Sequence, residues 1–286
     1  MNDLTDITHL PADCPIRPLF TQIDGLQIRY ARAERSAGET LLLLSPMPES
    51  IFAFLPTWNV LSENYDLLAL DLPGFGASAG RANIIAPQAM GEFIAKAVDH
   101  FDLKRPHAVG PDVGTSSLLF AAANNPEALA SITIGSGGAA FPLEVESTLK
   151  EIIDLPSIEP LLEMPVAALI DSVLATLQNY QPPAFVREDY VRSYSGSRFA
   201  ESAGLVRAYP RELALLADRL SEIKTPVQII QGKHDPFVPV SNAEYLANRL
   251  PMSRLEVVDT GHLVWEDAAD TYARLVLNWA PVHGCG

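Results

Sequence analysis

The chain has 286 residues, and 48% of them are hydrophobic, so it can bury a sizeable core. It carries 35 acidic against 20 basic residues, and this formal net charge of −15 argues against binding to nucleic acid or to an anionic membrane surface. Its two cysteines, Cys14 and Cys285, form neither a disulfide framework nor a metal spacing. The first residues lack a basic segment followed by an apolar one, and no apolar run reaches the roughly 18 residues of a membrane span. We therefore expect no signal peptide, no membrane contact and a cytoplasmic location.

Short apolar runs alternate with helical patterns along the chain. Residues 18–23 and 26–31 flank Asp24-Gly25, a dipeptide that is typical of a β-hairpin. Further strands are predicted at residues 40–44, 67–70, 107–109, 131–134, 227–231 and 255–258, and helices at residues 88–101, 115–124, 165–177, 241–250 and 268–279. Strands that alternate with helices indicate an α/β protein with a mostly parallel sheet covered by helices on both faces.

Residues 140–210 interrupt this alternation, because they contain helical patterns but no convincing buried strand. We interpret this segment as a helical insertion between two sheet strands and call it the cap. The predicted organisation is a core domain made of residues 1–139 and 211–286, with the cap, residues 140–210, inserted into it.

The most informative motif is Gly-Pro-Asp-Val-Gly at residues 110–114, between a predicted strand and a predicted helix. A glycine-flanked turn in that setting is typical of a nucleophile elbow, usually G-x-S-x-G, and here Asp112 takes the central position. The N-terminus of the following helix favours the ionised carboxylate, which can attack a saturated carbon that bears a leaving group. The structural alternative for Asp112 is an ordinary helix N-cap.

Two more polar side chains follow predicted strands. Asp235 comes after the strand at residues 227–231, and His262 comes after the strand at residues 255–258. Because active sites in open parallel sheets lie beyond the carboxyl ends of the strands, we expect Asp112, Asp235 and His262 to meet. Taken singly, Asp235 is also explained by a turn and His262 by a strand-end position.

With these motifs the sequence resembles the α/β-hydrolase fold family over nearly its whole length. Residues 45–48 (Ser-Pro-Met-Pro), 71–78 (Asp-Leu-Pro-Gly-Phe-Gly-Ala-Ser) and 232–236 also match, although the family commonly has H-G-x-P at the first of these segments. Within the family the chain is similar to the aspartate-nucleophile branch, which includes epoxide hydrolases and haloalkane dehalogenases.

The resemblance implies a role for each motif residue. Asp112 forms an ester with the substrate, and His262, oriented by Asp235, activates the water that hydrolyses the ester. The backbone N–H groups of Val113 and Met47 form the oxyanion hole.

A halide leaving group needs N–H donors. Dehalogenases of the family place donor side chains at the positions of Val113 and Met47, and neither of these side chains can donate. Trp58 and Trp265 remain as candidate halide donors, with core packing as the alternative for each.

An epoxide oxygen leaves as an alkoxide and needs a proton or a strong hydrogen bond. Epoxide hydrolases of the family supply it with tyrosines of the cap. Tyr209 is the first candidate here and Tyr180 the second, and each is also explained by packing.

The leading hypothesis is a hydrolase that opens an epoxide to a vicinal diol through an alkyl-enzyme ester on Asp112. We expect a small, apolar substrate and neither a metal nor an organic cofactor. The G-x-G-x-x-A match at residues 74–79 is not interpreted as a nucleotide site, because no helix is predicted to begin within it. A haloalkane or haloacid dehalogenase and a non-catalytic small-molecule receptor stay open as alternatives, and so does a homodimer.

Overall fold

The computed structural model of the protein describes residue 4, residues 10–35 and residues 38–280. In these ranges eight strands form one sheet in the order β1-β2-β4-β3-β5-β6-β7-β8. The strands β1 and β2 form the predicted hairpin, β2 pairs antiparallel with β4, and all other neighbours are parallel. The strands are β1 (Leu19–Ile23), β2 (Leu26–Ala33), β3 (Thr40–Leu44), β4 (Asp66–Leu70), β5 (His107–Pro111), β6 (Ser131–Gly135), β7 (Val227–Gly232) and β8 (Ser253–Val258).

The central strands are apolar throughout because both faces of the sheet are covered. In β3, Leu41 and Leu43 pack into the core on one face, whereas Leu42 and Leu44 pack into the core on the other. Every residue of β5, β6 and β7 is buried. This arrangement confirms the predicted mostly parallel sheet.

Thirteen α-helices lie within the described ranges. Helices α2 and α3 pack on one face of the sheet, and α1 and α13 pack on the other. The helices are α1 (Leu55–Ser62), α2 (Pro87–His100), α3 (Val113–Asn124), α4 (Ser147–Asp154), α5 (Glu159–Leu162), α6 (Val166–Leu174), α7 (Ala184–Tyr194), α8 (Arg198–Ser202), α9 (Gly204–Arg207), α10 (Tyr209–Ala217), α11 (Val240–Ala247), α12 (Val264–Asp267) and α13 (Ala269–Trp279). Helix α1 was not among the predicted elements.

The segment between β6 and β7 is helical, and no strand lies in its described residues. Helices α4 to α9 fall within residues 140–210, but α10 begins at Tyr209 and continues to Ala217. The predicted boundary at residue 210 therefore falls inside a helix, which packs against α2 and α3.

A buried ion network joins this helical segment to the sheet. Arg29 of β2 donates to Asp189 of α7 through Nη1 (2.6 Å) and Nη2 (2.9 Å), and its Nε donates to Asp71 after β4. All three side chains are almost fully buried. A buried charge loses hydration, so each of these groups depends on the others for compensation.

Two other expectations concern the chain as a whole. None of the helices in the described ranges combines the length and the apolar character needed to cross a membrane. Cys14 is a free, buried thiol, and Cys285 lies outside the described residues.

Candidate active site

Asp112 lies at the turn between β5 and α3, at the carboxyl end of a central strand. Its backbone has φ 53° and ψ −120°, a strained conformation for a residue other than glycine. The turn is tight: a Cβ on Gly110 would come 2.7 Å from Leu118 Cδ1 and 3.2 Å from the Gly114 Cα. The glycine at position 110 therefore allows strand and helix to approach, and the carboxylate sits at the N-terminus of α3.

The Asp112 carboxylate accepts hydrogen bonds from the backbone. The Met47 N–H, in the loop after β3, donates to Asp112 Oδ2 at 2.7 Å. The Val113 N–H lies close enough to the same carboxylate to lower its pKa. Because β3 and β5 are parallel neighbours, the loop that follows β3 reaches the elbow, and the two N–H groups expected to form an oxyanion hole lie together around Asp112.

His262 and Asp235 come together with Asp112 at the same edge of the sheet. His262 Nδ1 is 2.7 Å from Asp235 Oδ2, and His262 Nε2 is 3.8 Å from Asp112 Oδ1. Asp235 is held in place because its Oδ1 accepts from the N–H groups of Phe237 (2.9 Å) and Val238 (3.0 Å). Since a carboxylate only accepts hydrogen bonds, we assign the hydrogen of the neutral imidazole to Nδ1, beside Asp235. Nε2 is then unprotonated and lies on the side of Asp112.

The charges of this cluster are strongly perturbed by burial. Burial raises the pKa of Asp112 to about 6, against the opposing effects of His262 and of the Met47 and Val113 N–H groups. Burial alone would lower the pKa of His262, but the carboxylates of Asp235 and Asp112 outweigh it and the net shift is upward. At neutral pH the nucleophile candidate is therefore mostly ionised beside a base candidate of raised basicity.

A cavity of about 260 Å³ opens onto Asp112 and His262. Its walls are mainly apolar, and besides these two residues its polar side chains are Thr148 of α4 and Ser172 of α6. Ser172 Oγ donates to Leu169 O at 2.7 Å, and the Thr148 hydroxyl has no hydrogen-bond partner among the described residues. The lining consists of Met47, Pro48, Asp112, Val113, Thr148, Leu149, Ile152, Leu169, Ser172, Val173, Phe199, Val206, Phe237 and His262.

The two cap tyrosines proposed as donors to the leaving oxygen do not line this cavity. Tyr209 is the first residue of α10, which packs against α2 and α3, and its ring is buried in the core. The ring lies so close to Gly138 that a Cβ on that residue would come within 2.7 Å of it. Tyr180 lies on another surface depression, near Glu49 and Glu266. The charge of Asp112 adds to burial in raising the pKa of Tyr209, so this ring lies near the nucleophile candidate although it does not line the cavity. The role of Tyr209 or Tyr180 as a donor to the opening oxygen stays a prediction.

The two tryptophans considered as halide donors also lie outside the lining. Trp265 packs its ring against that of His262, with 5.8 Å between the centroids, and its Nε1–H donates to Glu49 Oε2 at 3.2 Å. Trp58 belongs to α1 and is buried in the same core as Trp265, on the face of the sheet that α1 and α13 cover. Both tryptophans therefore pack in the core, which was the alternative considered for each of them.

No sequence motif singled out Thr148, Glu49 or Glu266. Thr148 is one polar residue on an amphipathic helix, where a solvent-facing position is the ordinary expectation. Glu49 lies two residues after Met47 and Glu266 four residues after His262, and their proximity to the motifs is a signal that could have drawn attention to them.

Comparison with known proteins shows which family and which individual proteins this chain is similar to. A family model described as alpha/beta hydrolase fold matches residues 41–269. A 2-hydroxy-6-oxononadienedioate/2-hydroxy-6-oxononatrienedioate hydrolase of Escherichia coli is 26% identical over 232 residues, which cover 77% of this chain and 78% of the relative.

Two solved structures are similar to this chain in fold. The enol-lactonase from Burkholderia xenovorans LB400 has a TM-score of 0.75 at 18% identity and covers 91% of this chain and 98% of its own. Epoxide Hydrolase A from Mycobacterium thermoresistibile has a TM-score of 0.77 at 14% identity and covers 95% of this chain and 100% of its own. At such identities the likeness concerns the fold and not the reaction.

Proposed function

The chain belongs to the alpha/beta hydrolase fold family, and from this premise we propose that it hydrolyses an epoxide to a vicinal diol through an ester on Asp112. The observation that carries the proposal is the hydrogen bonding of the Asp112 carboxylate. Its Oδ2 accepts from Met47 N–H, while its Oδ1 lies 3.8 Å from His262 Nε2. An ionised carboxylate held by backbone N–H groups is suited to attack a saturated carbon and to be hydrolysed afterwards.

In the first step Asp112 Oδ1 attacks one carbon of the epoxide, and the bond from that carbon to the ring oxygen breaks. The ring oxygen leaves as an alkoxide and accepts a hydrogen bond from the Thr148 hydroxyl, the lining group that has no other partner among the described residues. The alkoxide then takes a proton from solvent. The product of this step is a hydroxyalkyl ester on Asp112.

In the second step His262 Nε2 removes a proton from water, and the resulting hydroxide attacks the carboxyl carbon of Asp112. The negative charge develops on Oδ2, which already accepts the Met47 N–H, and the Val113 N–H lies near the same carboxylate. Asp235 stabilises the imidazolium that forms at His262. The bond from the carboxyl carbon to the ester oxygen breaks, the leaving oxygen takes the proton of the newly formed carboxyl group, and the neutral diol departs. His262 returns its proton to solvent, and the Asp112 carboxylate is restored.

The cavity favours an apolar epoxide over the other substrate classes considered. A departing halide needs N–H donors, and the described lining contains no tryptophan, lysine or arginine. The substrate in the name of the E. coli relative is a dicarboxylate. A dicarboxylate would need cationic partners, which the described lining lacks.

We further propose that residues 140–210 act as a cap that selects the substrate. Leu149, Ile152, Leu169, Val173 and Val206 come from this segment, and all five line the cavity. Their apolar side chains gain from burying an apolar substrate and offer no compensation to a charged one.

Mass spectrometry on His262→Ala tests the proposal. Without the base, the ester on Asp112 should accumulate when the variant is exposed to a panel of epoxides and haloalkanes. An adduct on the Asp112 peptide with the full mass of an epoxide supports the proposal, and an adduct that lacks the elements of HX instead identifies a dehalogenase. No adduct with any member of the panel, together with saturable binding, favours the receptor alternative and contradicts the proposal.

Two controls make the result specific. His234→Ala removes a histidine whose side chain is 62% exposed and lies outside the cavity lining, so it should not accumulate an ester. The double variant Asp112→Asn/His262→Ala should form no adduct, provided that mass analysis of the peptide excludes deamidation of the new asparagine.

A further inference from the structure

Two buried glutamates lie behind the candidate active site. Glu49 and Glu266 are each 1% exposed. Glu49 lies in the loop that carries Met47, and Glu266 lies in α12, directly after the loop that carries His262. Neither side chain lines the cavity, so a direct contact with substrate does not explain them.

Each glutamate has one oxygen that accepts a hydrogen bond and one that does not. Trp265 Nε1–H donates to Glu49 Oε2 at 3.2 Å, and the Tyr190 hydroxyl donates to Glu266 Oε1 at 3.2 Å. Glu49 Oε1 and Glu266 Oε2 are buried and have no other partner among the described residues. The two carboxyl groups lie within hydrogen-bonding reach of each other.

Among the described residues, the titratable groups that act most strongly on this pair carry no positive charge to compensate it. From the elbow it faces Asp112, from α12 it faces Asp267, and from the cap it faces the phenols of Tyr180 and Tyr190. Two ionised carboxylates at such a site would be desolvated and would repel each other. A protonated carboxyl, in contrast, donates to an ionised one and satisfies both free oxygens. Burial raises the pKa of both carboxyl groups, and Glu266 raises that of Glu49 further, whereas the hydrogen bond with Glu49 lowers that of Glu266 and only partly offsets its burial.

We propose that Glu49 and Glu266 share one proton at neutral pH and that this hydrogen bond joins the loop of Met47 to the loop of His262. The pair thereby sets the position of an oxyanion-hole donor relative to the base. Both glutamates are positioning residues, because they act through Met47 and His262. This role in positioning rests on the proposed function, whereas the shared proton does not.

Tyr190 extends the connection to the cap. Its helix, α7, also carries Tyr194, whose hydroxyl donates to the backbone oxygen of Glu49 at 2.9 Å. Helix α7 thus contacts both members of the pair, Glu266 through its carboxyl and Glu49 through its backbone. Loss of the shared proton therefore disturbs the two catalytic loops and their contact with the cap together.

The first test counts the proton without any substrate. Urea unfolding from pH 6 to pH 8 is compared for the wild type, E49Q/E266Q and the control E212Q. Glu212 is also buried and accepts the Gln88 N–H at 2.9 Å, but it lies outside the pair. Two amides can pair with each other and do not ionise, so the double variant keeps a hydrogen bond without the proton.

The unfolded wild type has lost both glutamate protons in this pH range, whereas the folded protein keeps one. Its unfolding equilibrium constant should therefore rise about tenfold per pH unit relative to that of the double variant, for as long as the pair holds its proton. The ratio of the unfolding equilibrium constants of the wild type and E212Q should not change with pH. If the ratio of the unfolding equilibrium constants of the wild type and the double variant does not change from pH 6 to pH 8, the folded pair does not hold a proton, and the proposal is overturned.

The second test measures positioning, with styrene oxide as the probe and single-turnover hydrolysis of the Asp112 ester as the readout. The amide of E266Q still donates to Glu49, whereas the leucine of E266L cannot. E266L should hydrolyse the ester about tenfold more slowly than E266Q, and the loss of rate at alkaline pH in the wild type should be absent from E266Q. Equal rates in folded E266L and the wild type overturn the positioning role. If no ester forms at all, the proposed function fails, and the proton count still decides on the pair.

Discussion

Replacing the nucleophile candidate should stabilise the protein. Burial raises the pKa of Asp112 from 3.8 to about 6, so the folded state disfavours its ionised form. At about 1.4 kcal/mol for each pKa unit, the carboxylate costs about 3 kcal/mol of folding free energy at neutral pH. Asp112→Asn removes this cost, because an amide does not ionise and its oxygen still accepts the Met47 N–H.

The sign of the effect fixes its dependence on pH. Below the unfolded pKa both states hold the proton, and Asp112 costs nothing. Between about pH 4 and pH 6 the unfolded state releases the proton first, so the stability of the wild type falls as the pH rises. The advantage of Asp112→Asn should therefore be about 1 kcal/mol at pH 4.5 and about 3 kcal/mol at pH 8.

Urea unfolding of the wild type and Asp112→Asn at these two pH values measures the difference. Epoxide hydrolysis by the variant should fall to background in the same preparations, with deamidation excluded by mass analysis of the peptide. A variant that is no more stable than the wild type at pH 8, or one that gains equally at both pH values, would refute the reasoning. Such a result would mean that hydrogen bonds and His262 fully offset the desolvation of the carboxylate.

Three further outcomes follow from the same contacts. The kcat/KM for an epoxide should fall about tenfold per pH unit below about pH 6, because only ionised Asp112 attacks, and a midpoint near pH 4 would contradict this. Thr148→Val should slow ester formation about tenfold because one hydrogen bond to the leaving oxygen is lost, whereas Thr148→Ser should keep most of the rate. Equal rates of ester formation for the two variants in rapid-quench experiments would exclude the hydroxyl as the donor. Arg29→Ala should lose about 3–5 kcal/mol of unfolding free energy, because Asp71 and Asp189 are left buried without their cation, and denaturant unfolding with Arg29→Lys as the conservative comparison checks it.

The sheet could be predicted from the sequence because its signal is local. The run Thr-Leu-Leu-Leu-Leu of β3 was predicted at residues 40–44, and the structure has the strand over the same range. A strand buried on both faces needs apolar residues at every position, so its sequence marks it directly. Helix α1 was missed because it spans only eight residues, Leu55–Ser62, and its apolar residues form a weak pattern.

The candidate site was predictable where it depends on strand ends. Asp112, Asp235 and His262 each follow a strand, and the parallel topology brings their side chains to one edge of the sheet. His262 lies between the two carboxylates, 3.8 Å from Asp112 and 2.7 Å from Asp235. Their catalytic roles stay a prediction. The sequence did not show that α10, the helix of Tyr209, crosses the predicted cap boundary and packs the ring into the core.

The sequence by itself determined the strands of the sheet and most of the helices between them, the elbow with an aspartate at its centre, and the strand-end positions of the histidine and the second aspartate. These features depend on residues adjacent in the chain and on the fixed alternation of side chains in a strand. Only the tertiary structure decided which cap residues line the cavity, where the tyrosines and tryptophans point, and that Glu49 and Glu266 meet. Those outcomes depend on how helices that are distant in sequence pack together, and the direction of a side chain in such packing has no local signal.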